Sequence, residues 1–165
     1  MGPIEDCNGD KSLMVKLADL DSGMRDFLIH MPCPKINLRA FNKSPVLSQS
    51  RVALISSAGL RLRDDAPFTE YANDYRILPS EERAKIIQDH MNASHDRTGF
   101  IQDLNTIFPL DRLEEMADDG EIGSVANYHY SFMGATHPTE LEREARSLAK
   151  IMIKDEVDVV LLCPV

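Results

Sequence analysis

A chain of 165 residues, 43% of them hydrophobic, suffices for one domain around one core and contains no apolar run long enough to span a bilayer. Its net charge of −9, from 27 acidic against 18 basic residues with no basic cluster, repels a phosphate backbone and sets nucleic acid aside as a partner. The three cysteines, Cys7, Cys33 and Cys163, have no paired spacing, so neither a disulfide framework nor a metal site is expected. With no secretory pattern in MGPIEDCNGDK, the expectation is a soluble, cytoplasmic protein with no membrane partner.

Residues 1–44 are weakly patterned. Val15, Leu17, Leu20, Met24, Phe27 and Leu28 recur at helical spacing. Pro32, Pro34 and Pro45 then interrupt any regular element. A helix and linker over 1–44 and one α/β domain over 45–165 are the expected organisation. Residues 51–56 (RVALIS) read as a buried parallel strand. Ser57 and Gly59 fall just past its carboxyl end, where open α/β sheets bind ligands, although an ordinary turn fits the same residues. Residues 61–74 read as an irregular surface loop and 75–79 as a short strand. Ser80 is placed to cap a helix with Glu81 and Glu82 in its first turn and Ala84, Ile87 and Met91 on one face.

The densest chemistry lies in residues 94–134. His95 stands beside Asp96, a pairing suited to acid–base work or to a hydrogen-bonded loop. Asp103 and Asn105 flank Leu104 and, in an extended segment, share one side. They either hold a substrate amine or cap the next helix. That helix, 109–119, has Pro109 in its first turn and an apolar face of Leu110, Leu113, Met116 and Ala117. Gly120 is its stop. A strand over 122–126 and the aromatic run of residues 128–132 follow. The run is either a packed corner or a pocket lined by His129 and Tyr130, with Ser131 beside them. Residues 138–155 form the strongest helix, buried through Leu141, Ala145, Leu148 and Met152, and capped by Thr136 or by a Thr139/Glu142 capping box. VDVVLL, 157–162, reads as a second buried parallel strand. The βαβ rhythm implies an α/β fold: a parallel, Rossmann- or flavodoxin-like sheet with flanking helices, in a domain that is incomplete as it stands.

Three stretches carry a resemblance. They are SHDRTGF, IQDLNTIFPLDRL and IGSVANYHYSFMG within 94–134; RVALISSAGLRLRDDAPF at 51–68; and DVVLLCPV at 158–165. Together they resemble the selenoprotein B component of the glycine/sarcosine/betaine/D-proline reductases. The resemblance covers 45–165. Its central motif is specific, and the other two would be weak alone. It implies an oxidoreductase that reductively cleaves a carbon–nitrogen bond of a small amino-acid substrate, using a selenol or thiol and a dithiol donor of the thioredoxin type. It implies selenocysteine or cysteine immediately after Pro-Val. Since UGA is conventionally read as stop, the chain is expected to be truncated just before that residue. No cofactor is expected within this chain. A pyruvoyl-bearing substrate-binding subunit and an acetyl-transfer subunit are the implied partners.

On this reading the catalytic candidates are His95, His129 and Cys163. The substrate-binding candidates are Ser57, Gly59, Asp96, Asp103, Asn105, Tyr130 and Ser131. Cys163 lies three positions before the implied redox residue, a spacing like that of dithiol motifs. The family's usual residue there is small and hydroxylic, so an inert buried thiol is the alternative. Two other classes remain open: an α/β racemase or lyase using a strand-end cysteine, and a non-catalytic partner subunit. An uncovered sheet edge is expected to make the isolated chain aggregate or stay molten.

Overall fold

The computed structural model describes residues 16–31, 42–43, 45–91 and 98–165. The chain divides into two compact units, Met1–Leu38 and Arg39–Val165. The first contains α1 (Ser22–His30), whose amino end is capped by Asp21 accepting from the Met24 N–H at 3.0 Å. The second runs β1 (Arg51–Ser56), β2 (Leu60–Leu62), β3 (Tyr75–Pro79), β4 (Ile86–Gln88), α2 (Thr98–Gln102), α3 (Leu110–Asp118), β5 (Ser124–Val125), β6 (Tyr128–Phe132), α4 (Pro138–Lys154) and β7 (Val159–Cys163).

β1 is the axis of the sheet. Val52 is paired with both Val125 and Val159, and Ile55 with both Tyr130 and Leu162, so β5 and β6 lie in succession along one edge of β1 and β7 along the other. All three are parallel to β1. β3 closes the far side of β6 as an antiparallel edge strand. β2 and β4 form a separate antiparallel pair. The result is an α/β fold with a mostly parallel sheet, as the βαβ rhythm implies.

Alternation along β1 sends its side chains to two layers. Val52 and Leu54 join Leu78, Phe108, Leu110 and Leu113 beneath α3. Ile55 packs with Tyr130, Phe132 and Leu148 beneath α4, where Leu141 and Met152 complete the contact. Each fully buried Leu or Phe in these layers contributes roughly 1.5–3 kcal/mol relative to exposure.

Four local expectations are corrected. The helix expected after Ser80 is a 3-10 turn over Ser80–Lys85 followed by β4. The apolar spacing of Ile87 and Met91 loses to sheet pairing, with Leu62 opposite Ile86 and Arg61 opposite Ile87. Ser80 caps nothing; its hydroxyl donates to Ala126 O at 3.1 Å. The loop expected from residue 61 begins inside β2, and its continuation is held by Arg61, which bonds the carbonyls of Leu62, Arg63 and Asp65. The cap of α4 is His137, whose Nδ1 accepts from the Thr139 N–H at 3.4 Å and lies 2.7 Å from the Thr139 hydroxyl, while Thr136 donates elsewhere, to Ala72 O at 2.6 Å. Finally, β7 pairs with β1 alone among the described strands, with Leu161 40% and Leu162 66% exposed. No helix among the described residues is long and apolar enough to cross a membrane.

Candidate functional site

Parallel strands in register end together. Ser56 is level with Ser131 on β6 and with Cys163 on β7, so β1, β6 and β7 share one carboxyl edge. Beyond it the chain offers Ser57, Gly134 and Pro164-Val165. Ser57 N–H donates to Cys163 O at 3.1 Å. Ser57 Oγ accepts from Val165 N–H at 2.9 Å and lies 3.4 Å from Val165 O. The end of β7 is therefore pinned to the turn after β1.

That turn is itself braced. Ser56 Oγ donates to Ile107 O at 3.0 Å and accepts from Ala58 N–H, while Ser131 Oγ accepts from Leu60 N–H at 2.8 Å. Gly59 has φ of +63°, a left-handed backbone that suits glycine, and its carbonyl accepts from Asp89 N–H at 2.8 Å. An apolar cleft of about 220 Å³ opens beside this edge, walled by Ile55, Phe132, Leu141, Leu162, Cys163 and Pro164. The Cys163 thiol is half-buried, and burial pushes its pKa up, which keeps it protonated.

His129 and Tyr130 point to opposite faces of the sheet, as neighbours on a strand must, and so do not line one pocket. His129 is fully buried against Phe108, their rings T-shaped at 5.5 Å. Between β5 and β6 the ladder on β1 is interrupted, and the His129 ring repairs it. Leu54 N–H donates to His129 Nδ1 at 2.9 Å. With Nδ1 an acceptor, Nε2 carries the proton and donates to Ser80 Oγ at 3.1 Å. Burial pushes the imidazole pKa down to about 4, so the ring is neutral. Tyr130 lies edge-on to Tyr75 at 5.9 Å. Burial, reinforced by the negative charge of Asp155, pushes its hydroxyl up to about 12.

Asp103 and Asn105 come together at the amino end of α3. Asp103 accepts from the Asn105 N–H and side-chain amide, both at 2.9 Å. Asn105 in turn donates to the Asp111 carboxylate at 2.9 Å and accepts from Asp111 N–H at 3.1 Å. Asn105 thus acts as a cap on the first turn of α3. These bonds hold the Asp103 and Asp111 carboxyls below their usual range. Arg83 closes the network, reaching Asp111 at 2.7 Å and Glu114 at 2.8 Å. The Arg83 and Asp103–Asp111 groups wall a cleft of about 260 Å³.

The candidates therefore separate. Ser57, Gly59 and Cys163 share the carboxyl edge. Asp103 and Asn105 share the α3 network, and Ile107 beside it accepts from Ser56 at that edge. His129, Tyr130 and Ser131 are buried in the sheet. His95 and Asp96 lie outside the described residues. One group the sequence reading passed over, His90, comes to the edge beside Ser57 and Gly134. The readable signal was Ile-Ile-Gln as a strand, which places Asp89-His90 opposite the Gly59 turn; a helical reading hides it.

The α/β sheet brings a serine turn, a glycine turn and a cysteine strand to one carboxyl edge, the edge at which open α/β sheets generally bind ligands. The chain belongs to the family Glycine/sarcosine/betaine reductase selenoprotein B (GRDB), whose model matches residues 13–164, well into the amino-terminal unit. It is 28% identical over 122 residues to D-proline reductase subunit gamma of Acetoanaerobium sticklandii, covering 70% of this chain and 49% of that protein. It is 29% identical over 122 residues to the sarcosine reductase complex component B subunit beta of Peptoclostridium acidaminophilum, covering 70% of this chain and 28% of that protein. It is also 29% identical over 136 residues to the betaine reductase complex component B subunit beta of the same organism, covering 78% and 30%. The chain thus spans about half or less of the length of these curated relatives. No solved structure matches it.

Proposed function

We propose that this chain is part of an amino-acid reductase subunit that reductively cleaves a carbon–nitrogen bond of glycine, sarcosine, betaine or D-proline, with its chemistry at the carboxyl edge of β1, β6 and β7. The observation that carries the reading is the pinning of Val165 by Ser57 at the register-matched end of three parallel strands. A selenol or thiol following Val165 supplies a nucleophile that attacks the substrate carbon. The residues present fit such a group. Ser57 fixes the preceding peptide by its hydroxyl, and an apolar cleft lies beside it at Cys163 and Leu162.

In this reading Ser57 and Gly59 shape the edge and Cys163 holds β7 to it. Its raised pKa fits a thiol at rest better than a nucleophile, and disfavours a racemase or lyase built on Cys163 itself. His129, Tyr130 and Ser131 serve as framework, and Asp103 and Asn105 organise α3. His95 and Asp96 remain proposed acid–base and substrate-binding groups. A pyruvoyl-bearing subunit and an acetyl-transfer subunit are the proposed partners, with a thioredoxin-like dithiol as electron donor. The exposed apolar residues of β7 favour a second reading, a subunit that acts only by docking to another chain.

The test is reconstitution of the full-length protein with its partner subunits and a dithiol, followed by assay of amine release from the three acyclic substrates and of ring opening of D-proline. Turnover of one of them supports the proposal. Full assembly with none turned over overturns it in favour of the docking role.

A further inference from the structure

The four candidate substrates share a carboxylate and a carbon to be parted from nitrogen, and differ in what else the nitrogen carries. Glycine carries only hydrogens, as a primary ammonium with three donors. Sarcosine carries one methyl, betaine three methyls and no N–H, and D-proline the methylenes of its ring. The surroundings of the strand ends therefore decide between them.

The apolar cleft of about 220 Å³ lies at the carboxyl edge itself. β1 brings Ile55 to it, β6 brings Phe132, α4 brings Leu141 and β7 brings Leu162. Register places the first and last together, because Ile55 stands opposite Leu162. Phe132 and Leu141 belong to the layer that Tyr130 and Leu148 complete beneath α4, so packing fixes their positions. Pro164 and Ser57 are also walls, and Ser57 Oγ holds the Val165 N–H at 2.9 Å. A residue after Val165 stands two positions from Pro164, so its Cα is no more than about 7 Å from that wall.

The polar groups of the cleft are already engaged. Ser56 Oγ donates to Ile107 O and accepts from Ala58 N–H, and Ser57 Oγ is bonded to Val165. Cys163 is a thiol that burial keeps protonated. No charged side chain stands among the described walls. A primary ammonium entering such a cleft exchanges its hydrogen bonds to water for hydrocarbon, which is costly. A methyl or ring methylene leaves water for hydrocarbon, which is favourable. Each further carbon on the nitrogen also removes a donor that would need a partner there.

We propose that this chain serves an amino acid whose nitrogen carries further carbon, as methyl groups or a ring, in preference to glycine, and that Leu141 helps to set the preference. This rests on the reading that a selenol or thiol follows Val165 and that a carbon–nitrogen bond is cleaved there. The nitrogen's apolar substituent occupies the cleft. The carboxylate, common to all four substrates, contributes no discrimination.

The test uses the full-length protein assembled with its partner subunits. Each of the four amino acids is titrated into it calorimetrically with the dithiol withheld, and kcat/KM is then measured with the dithiol present. An N-substituted amino acid is expected to exceed glycine at least tenfold both in affinity and in kcat/KM, the scale of discrimination that a methylene brings in an apolar pocket. L141N, which replaces hydrocarbon by an amide of similar size, is expected to lower that ratio about tenfold. L141A is expected to move it in the same direction and is the variant read if L141N does not melt like the parent. A merely structural role for Leu141 would weaken all four substrates together and leave the ratio in place. Preference for glycine in the parent overturns the proposal and leaves the reductase reading standing. An unmoved ratio in a Leu141 variant that melts like the parent does the same. Turnover of none of the four by the fully assembled protein is a different failure: it removes the reductase reading and the proposal with it.

Discussion

β6 and β7 flank the same strand and end at the same level, and β7 is the more apolar in sequence, yet it is β6 that is buried. Residues 129–132 of β6 are buried, because β1 and β3 take its two edges while Phe108 and Leu148 cover its faces. β7 is paired with β1 alone among the described strands, and Leu161 and Leu162 stay in contact with water. Burial here is set by neighbours, since VVLLC is at least as hydrophobic as YHYSF. The protein spends its polar groups in the same uneven way. At β6, His129 and Ser131 are consumed in backbone repair. At the ends of β1 and β7, Ser57 is free to hold the peptide on which the proposed chemistry depends.

That contrast can be broken most forcefully in the core. Phe132→Ala is expected to destabilise the protein by about 3–5 kcal/mol, since the ring packs on Tyr75 at 5.6 Å beneath α4. Denaturant unfolding of the full-length protein measures it. The next effect is electrostatic. His129 titrates at about 4 when folded against 6.5 in its ordinary state. The unfolded chain therefore binds a proton that the folded chain refuses. The corresponding stability, on the order of 3 kcal/mol, is complete above pH 6.5 and is lost as pH falls from there through 4. His129→Gln is expected to remove that component of the acid dependence, which comparison of the two unfolding curves across this range reveals. Asn105→Ala, which removes the cap on α3, is expected to cost about 1 kcal/mol and to leave the carboxyl edge intact. The smallest effect is expected at β7, where Leu162→Ala changes stability by no more than about 0.5 kcal/mol. A much larger loss there would mean that β7 is covered, and the contrast with β6 would collapse.

Local chemistry made part of this readable. β1 was legible to the residue because an apolar β-branched run bounded by Ser-Ser-Ala-Gly has few other uses. α3 and α4 were legible from their spacing and from Pro109, Gly120 and Pro138. β4 was not, because Ala84, Ile87 and Met91 satisfy a helical period, and only pairing with β2, more than twenty positions away, decides the matter. The role of His129 was hidden for the same reason. Its partner is the Leu54 N–H, orphaned by a break between β5 and β6 that no local pattern announces. For Asp103 and Asn105 the capping alternative was visible beforehand, and the observed bonds are those of a cap. His90 was missed with β4. The family resemblance, by contrast, was legible from motif alone, because the residues that carry it cluster in one long stretch.

The most direct test of a strand-end site is protection by substrate. The full-length protein is treated with iodoacetate, a small reagent that shares the carboxylate of the proposed substrates, with and without each amino acid, and the modified residue is identified by mass spectrometry. The account predicts one adduct, at the first position after Val165, suppressed by the true substrate. Modification of Cys163 in its place, or an adduct that no amino acid suppresses, would contradict it.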